Sequence, residues 1–236
     1  MSTARSRTER SGAGRRRVSR GRWPVALAVG TWLALPVHAG DGLRMTERMA
    51  LAVLAEQVST QALARPDPLV LVMAARLKRL QGGSSSPGAP VDAGVAGRTA
   101  VKPGPHPRSA EALLARARAL SIGRADLLAL IDDVAQERPR GVEDGPRTRS
   151  GVAAPLATDT YREPFKAGEP AAVLIAGDGD SNLDLYVFDE RGARICASER
   201  LDDVEVCRWQ PRAAGRVMIH VVNRGRVDNR YELRSN

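Results

Sequence analysis

Five oxygen-bearing side chains recur at regular intervals in one stretch. Asp178, Asp180, Asn182, Asp184 and Asp189 occupy positions 1, 3, 5, 7 and 12 of residues 178–189. Alternate oxygen donors suit a hard cation, and this is the spacing of a calcium loop. Two positions depart from it. Leu183 stands sixth, where the sharp turn needs glycine, and Asp189 stands last in place of a longer, bidentate glutamate. From Leu183 onward the residues alternate as a strand, which excludes a helix–loop–helix calcium hand. Calcium held between the loops of a β-sandwich is the metal reading that survives. The competing reading is a solvated loop whose aspartates cap turns. No HExxH or GxSxG stands anywhere in the chain, and its three histidines, His38, His106 and His220, lie beside no nucleophile motif. Nothing marks a carboxylate pair for acid–base work. We therefore expect no catalytic residue and no cofactor other than calcium.

The element that would carry the acidic loop belongs to a period-two pattern that starts near Pro155. Residues 172–176 read as a buried strand. Leu183, Leu185 and Val187 alternate with Asp184, Tyr186 and Phe188, and Val217, Ile219 and Val221 alternate with Met218, His220 and Val222. Turn residues separate these runs about every ten positions, which points to an antiparallel sandwich. Some eighty residues make a small core, and a cross-link would support it. Cys196 and Cys207, the chain's two cysteines, flank a turn near Leu201 and Asp202. In an exported protein a lone pair of this kind is expected to bond. The expected geometry places 196 opposite 207 across a hairpin, with Trp209 beside the bridge. His220 should fill or border the sheet.

The set formed by residues 177–180, Leu183-Asp184-Leu185-Tyr186-Val187, Asp189 with Gly192, Trp209-Gln210-Pro211 with Gly215, Val222-Asn223 and residues 229–233 resembles the bacterial pre-peptidase C-terminal domain. The resemblance covers about a third of the chain. It implies a jelly-roll-like sandwich on an extracytoplasmic protein. No peptidase domain precedes it here, so the resemblance does not imply a protease.

Upstream, the chain reads as a leader and two helical hairpins. Residues 1–39 hold eight arginines and one acid, leaving 28 basic and 26 acidic residues in the remainder. The basic run leads into an apolar stretch at 23–36 and then Val37-His38-Ala39, the order of a secretory signal cut after Ala39. The apolar run is shorter than the roughly 20 residues of a membrane span, although an N-terminal anchor is the alternative. With the leader's charge removed the chain is close to neutral, which argues against nucleic acid as a partner.

Residues 40–81 pattern as a helical hairpin, with Thr46 and Asp67 as N-caps and Pro68 at a first helical position. In its second helix Leu69, Val70, Val72, Met73, Ala74, Leu77 and Leu80 should form a broad buried face. A flexible linker at 82–107, a second hairpin at 108–137 capped by Ser109, a linker at 138–158 and the sandwich at 159–236 complete the expected order. The fold class is α+β, a small helical region joined by linkers to a C-terminal antiparallel β-sandwich. The expected function is a non-catalytic, periplasmic or secreted interaction or stabilising module with a protein or glycan partner in the cell envelope. It would have no membrane span after cleavage. The alternatives are a hydrolase whose site spans both regions and a structural envelope protein.

Overall fold

The computed structural model describes residues 45–81, 84–85, 90–93, 105–137 and 146–236. The leader and its cut after Ala39 lie outside the described residues. Helices α1 (Met45–Ala64) and α2 (Pro68–Leu80) come first, then the two-residue strands β1 (Ser84–Ser85) and β2 (Asp92–Ala93), and then α3 (Ala110–Leu120) and α4 (Ala125–Gln136). The longer strands follow: β3 (Arg147–Ala153), β4 (Thr158–Phe165), β5 (Ala171–Gly177), β6 (Leu183–Phe188), β7 (Arg194–Ser198), β8 (Val204–Trp209), β9 (Gly215–Asn223) and β10 (Asn229–Ser235). One sheet runs β1-β3-β10-β5-β8 and the other β2-β4-β9-β6-β7. Apart from β1 beside β3, every pairing is antiparallel. The chain is α+β, with a C-terminal β-sandwich after a helical region. No described helix is long and apolar enough to cross a membrane.

Capping sets the helix starts. Asp67, with extended backbone, accepts from the Leu69 and Val70 amides at 2.9 and 3.1 Å, and Pro68 follows where its missing N–H costs nothing. Ser109 accepts from the Ala112 amide at 3.1 Å. Helix α1 begins ahead of the expected cap, so Thr46 lies within it. The α2 face is narrower than its apolar residues suggest. Leu71, Val72, Ala74 and Ala75 are buried, whereas Leu69, Met73 and Leu80 are more than half exposed. Only one stripe of this helix meets α1 and α3, and the remaining leucines have no layer to enter.

The sandwich core forms where the period-two residues meet. Val173 and Ile175 from β5, Leu183, Leu185 and Val187 from β6, Ile219 and Val221 from β9, and Leu233 from β10 are all fully buried. Strand β5 is buried along its whole length because its other face is also covered. Ala172, Leu174 and Ala176, with Val204 from β8, pack against Met49, Ala52 and Val53 of α1. Alanine on both partners lets the helix lie close to the sheet.

Two stretches read as linkers contain strands. Within 82–107, Ser84 and Ser85 pair with Arg147 and Thr148, and Asp92 and Ala93 pair with Thr160 and Asp159. Within 138–158, β3 pairs along its full length with β10. Its sequence, Arg-Thr-Arg-Ser-Gly-Val-Ala, hides the strand because only Ala153 is fully buried. Gly151 has a specific reason to be glycine. A Cβ there would lie 2.4–2.8 Å from two ring carbons and the hydroxyl oxygen of Tyr231. That ring donates its hydroxyl to Asp159 at 2.7 Å and meets the Tyr161 hydroxyl at 2.7 Å. Burial holds Tyr161 protonated, with its pKa raised to about 12. Gly151→Ala is expected to displace the Tyr231 ring and draw its hydroxyl away from the buried Asp159 carboxylate. Its cost should be about 2 kcal/mol or more in urea unfolding, and a change within about 0.5 kcal/mol would contradict this packing.

The residues before α3 lock the helices to the sandwich. His106 Nε2 lies 3.1 Å from the Arg230 carbonyl, and Nδ1 accepts from the Arg108 amide at 3.2 Å. The carbonyl can only accept, so Nε2 carries the proton and the ring is neutral. Burial, with Lys78 and Arg230 adding to it against the attraction of Glu232, lowers the His106 pKa. Burial also lowers that of His220. The unfolded chain therefore takes up these protons first. Stability is full above the ordinary histidine pKa of about 6.5 and falls as pH drops from there toward the depressed folded values. Melting followed from pH 7.5 to 5.5 should show this decline, and His106→Gln should flatten part of it. A melting temperature that holds or rises on acidification would contradict it.

Candidate ligand-binding cleft

The acidic stretch does not close around one point. Asp178 accepts from the Asp180 and Arg230 amides. The Asn182 amide, in the orientation its neighbours require, donates to the carbonyls of Arg200 and Asp202. Asp184 is buried, pairs with Arg224 and accepts from the Tyr186 hydroxyl at 3.2 Å. Asp189 closes the β6–β7 turn by accepting from the Arg191 and Ala193 amides at 2.9 and 2.8 Å. Five steps of extended strand separate Asp184 from Asp189, roughly 16 Å. Asp180 is exposed in the loop. The calcium-loop arrangement is therefore not formed. Strand formation from Leu183 onward carries the later ligands away, and turns and an arginine occupy the carboxylates. Among the described residues no group of three or more His, Cys, Asp or Glu is placed to hold a metal ion.

Cys196 and Cys207 are bonded, but not across a hairpin. Cys196 lies on β7, opposite Val187 of β6 in one sheet, and Cys207 lies on β8, opposite Val173 of β5 in the other. The bridge therefore staples the two sheets together. The turn at 199–203 carries the chain from one sheet to the other, which spacing alone does not distinguish from a hairpin. Trp209 and Cys196 pack against the same core, and Trp209 meets Phe165 edge-on with ring centroids 4.8 Å apart.

That Trp209–Phe165 contact floors a cleft of about 470 Å³ at the end of the sandwich away from Gly177 and Asp203. The ends of β4 and β8, the start of β9 and the β6–β7 turn converge there. Ile195 adds an apolar wall, and Arg191, Arg212 and Arg216 stand around it. Among the described residues none of these three guanidiniums has an ion-pair or side-chain hydrogen-bond partner. Two carboxylates also line the cleft, Asp189 accepting from the amides of its turn and Glu190 from the Arg216 amide at 2.9 Å, so the three guanidiniums leave the lining net positive by one charge. The Trp209 Nε1 donor is shielded and without an acceptor. This is a site of ordinary ligand size with an aromatic floor and guanidinium donors that no side chain occupies.

A second cavity, about 650 Å³ between α2, α3 and α4, lacks that character. Its cations are spoken for: Arg79 donates to the Ala135 and Glu137 carbonyls, and Arg118 pairs with Asp132. None of the three cleft arginines was singled out by sequence. Each comes from a different turn or strand end, so no spacing connects them before folding.

No family model and no curated protein matches the chain. Among solved structures it is similar to the pre-peptidase C-terminal domain of a collagenase from Bacillus anthracis, with 14% identity and a TM-score of 0.32 over 39% of this chain and 89% of that one. It is also similar to a periplasmic inhibitor of g-type lysozyme from Aeromonas hydrophila, with 19% identity and a TM-score of 0.31 over 39% and 86%. A third is the Yersinia pseudotuberculosis-derived mitogen, with 12% identity and a TM-score of 0.34 over 39% and 85%. At these values nothing about ligand or activity passes to this chain.

Proposed function

We propose that this protein is a non-catalytic, exported interaction module that captures a protein or glycan of the cell envelope by an acidic group seated in the Trp209 cleft. One observation carries the reading: three unpaired guanidiniums surround an aromatic-floored cleft at the end of the sandwich. Leaving them unpaired costs little in water, and an anion entering the cleft would find several donors at once. The buried acids support a non-catalytic role: Glu56, Asp184 and Asp203 pair with Lys78, Arg224 and Arg108, and the other three are held by the interior. Asp159 bonds Tyr231, Glu163 accepts from Ser235 and pairs with Arg149, and Glu205 accepts from Ser198 and the Arg200 amide. None of the six lines the cleft. The inter-sheet disulfide and the leader-like start of the sequence support export.

The test is a titration of the oxidised chain from Gly40 onward, without the arginine-rich leader, with poly-glutamate and with oligogalacturonate, followed by calorimetry. At least one polyanion should bind saturably, and Arg212→Ala/Arg216→Ala should weaken it at least tenfold, about 1.4 kcal/mol. Binding of neither polymer, or equal binding by the double variant, would overturn the reading.

A further inference from the structure

The cleft opens beside a second feature on the same sheet. Helix α1 covers the outer face of the sheet containing β5. No described helix packs on the outer face of the other sheet to a comparable extent. That face carries a row of rings. Tyr186 and Phe188 of β6 lie nearly parallel with centroids 6.3 Å apart, and Phe188 meets His220 of β9 at 4.8 Å. Cations flank the row. Arg162 of β4 stands opposite Met218, which is itself opposite Phe188, and Arg194 of β7 stands opposite Phe188 on the other side. Arg216 lies two residues before Met218 on β9, so the row leads directly to the cleft. Among the described residues Arg162 and Arg194 have no ion-pair partner. At the far end Arg224 is held by Asp184 and lies 5.9 Å over the Tyr186 ring.

We infer that this open face binds an acidic polysaccharide, a chain of uronic-acid type, which lies along the Tyr186–Phe188–His220 row with one carboxylate entering the Trp209 cleft. The inference rests on the cleft reading above and names its ligand. A pyranose ring presents an apolar C–H face that stacks on aromatic rings, while its carboxylate projects sideways from the ring. Rings along the middle with guanidiniums on both flanks match that division of chemistry. An acidic peptide would satisfy the arginines but not the ring row, and its backbone would find no open strand edge in the middle of a sheet face. Single-stranded nucleic acid uses similar stacking, but a disulfide-bonded chain suits the oxidising compartment of the export reading above, where nucleic acid is not the expected partner.

The test compares hexagalacturonate, its methyl ester, poly-glutamate and a twelve-nucleotide oligothymidylate on the oxidised chain from Gly40 onward. Hexagalacturonate should bind best, and methylation should weaken it at least tenfold. Phe188→Ala and Arg162→Ala, both outside the cleft, should each weaken it about five- to tenfold. Phe188→Leu, which keeps an apolar side chain without a ring, should reproduce the loss if the stacking is real. If poly-glutamate binds as well as hexagalacturonate and the Phe188 and Arg162 variants leave binding unchanged, the polysaccharide assignment falls and the cleft reading stands. Preference for the oligonucleotide also overturns the assignment. If no anion binds, both fall.

Discussion

Replacing Arg108 with alanine should lower the stability of the chain by about 3–5 kcal/mol. Arg108 is 5% exposed and occupies the junction of four segments. Its Nε donates to the Gly177 carbonyl at 2.8 Å, one terminal nitrogen donates to Thr60 of α1 at 2.7 Å, and the other donates to Asp203 at 2.9 Å. Asp203 is also buried, and its second oxygen accepts from the Gly179 amide in the acidic loop. Truncating the arginine leaves Asp203 uncompensated and the Gly177 carbonyl without its donor. The loss comes from that stranded charge rather than from a large net gain in the intact pair. Arg108→Met combined with Asp203→Leu should therefore recover a good part of it. Urea unfolding monitored by circular dichroism decides the matter. A loss below about 1 kcal/mol for Arg108→Ala would mean that the helices and sandwich are not fastened at this point.

Removing the Cys196–Cys207 bridge should cost about 2–3 kcal/mol. The bridge closes a short loop, with a sequence separation of 11, and such loops stabilise chiefly by restricting the unfolded chain. Its placement adds a local expectation. The bond joins β7, which is paired on one side by β6, to the covered sheet. Cys196→Ala/Cys207→Ala should consequently lower the melting temperature by roughly 10 °C and raise amide exchange first in β7. Exchange that rises evenly across the sandwich, or a double variant that melts with the parent, would contradict an inter-sheet staple at the free edge.

Periodicity made the sandwich legible because β6 and β9 each turn one face fully into the core and keep the other largely half-buried. The same rule failed for β3, whose core-facing side carries Arg149, paired with the buried Glu163, and Gly151, which yields its place to the Tyr231 ring. Helix caps at Asp67 and Ser109 were readable because they depend on neighbours two or three residues away. Burial on α2 was not, because it depends on which helices arrive beside it. Arg108 and His106 stand in a proline-rich stretch with no local pattern, and their partners lie as far off as Gly177, Asp203 and Arg230. The cleft was hidden for the same reason. The acidic loop stood out in the sequence because its residues are adjacent, yet its carboxylates are used within the fold.

The most direct test of the central claim is the indole N–H signal of Trp209 in a nitrogen–proton correlation spectrum, identified by its loss in Trp209→Phe. Trp209 floors the cleft, and its Nε1 has no acceptor in the free protein. Titration with oligogalacturonate should move this signal progressively and saturably, and Arg212→Ala/Arg216→Ala should abolish the movement. A Trp209 signal unmoved at millimolar ligand, or one moved equally in the double variant, would contradict capture of an anionic partner at the end of the sandwich.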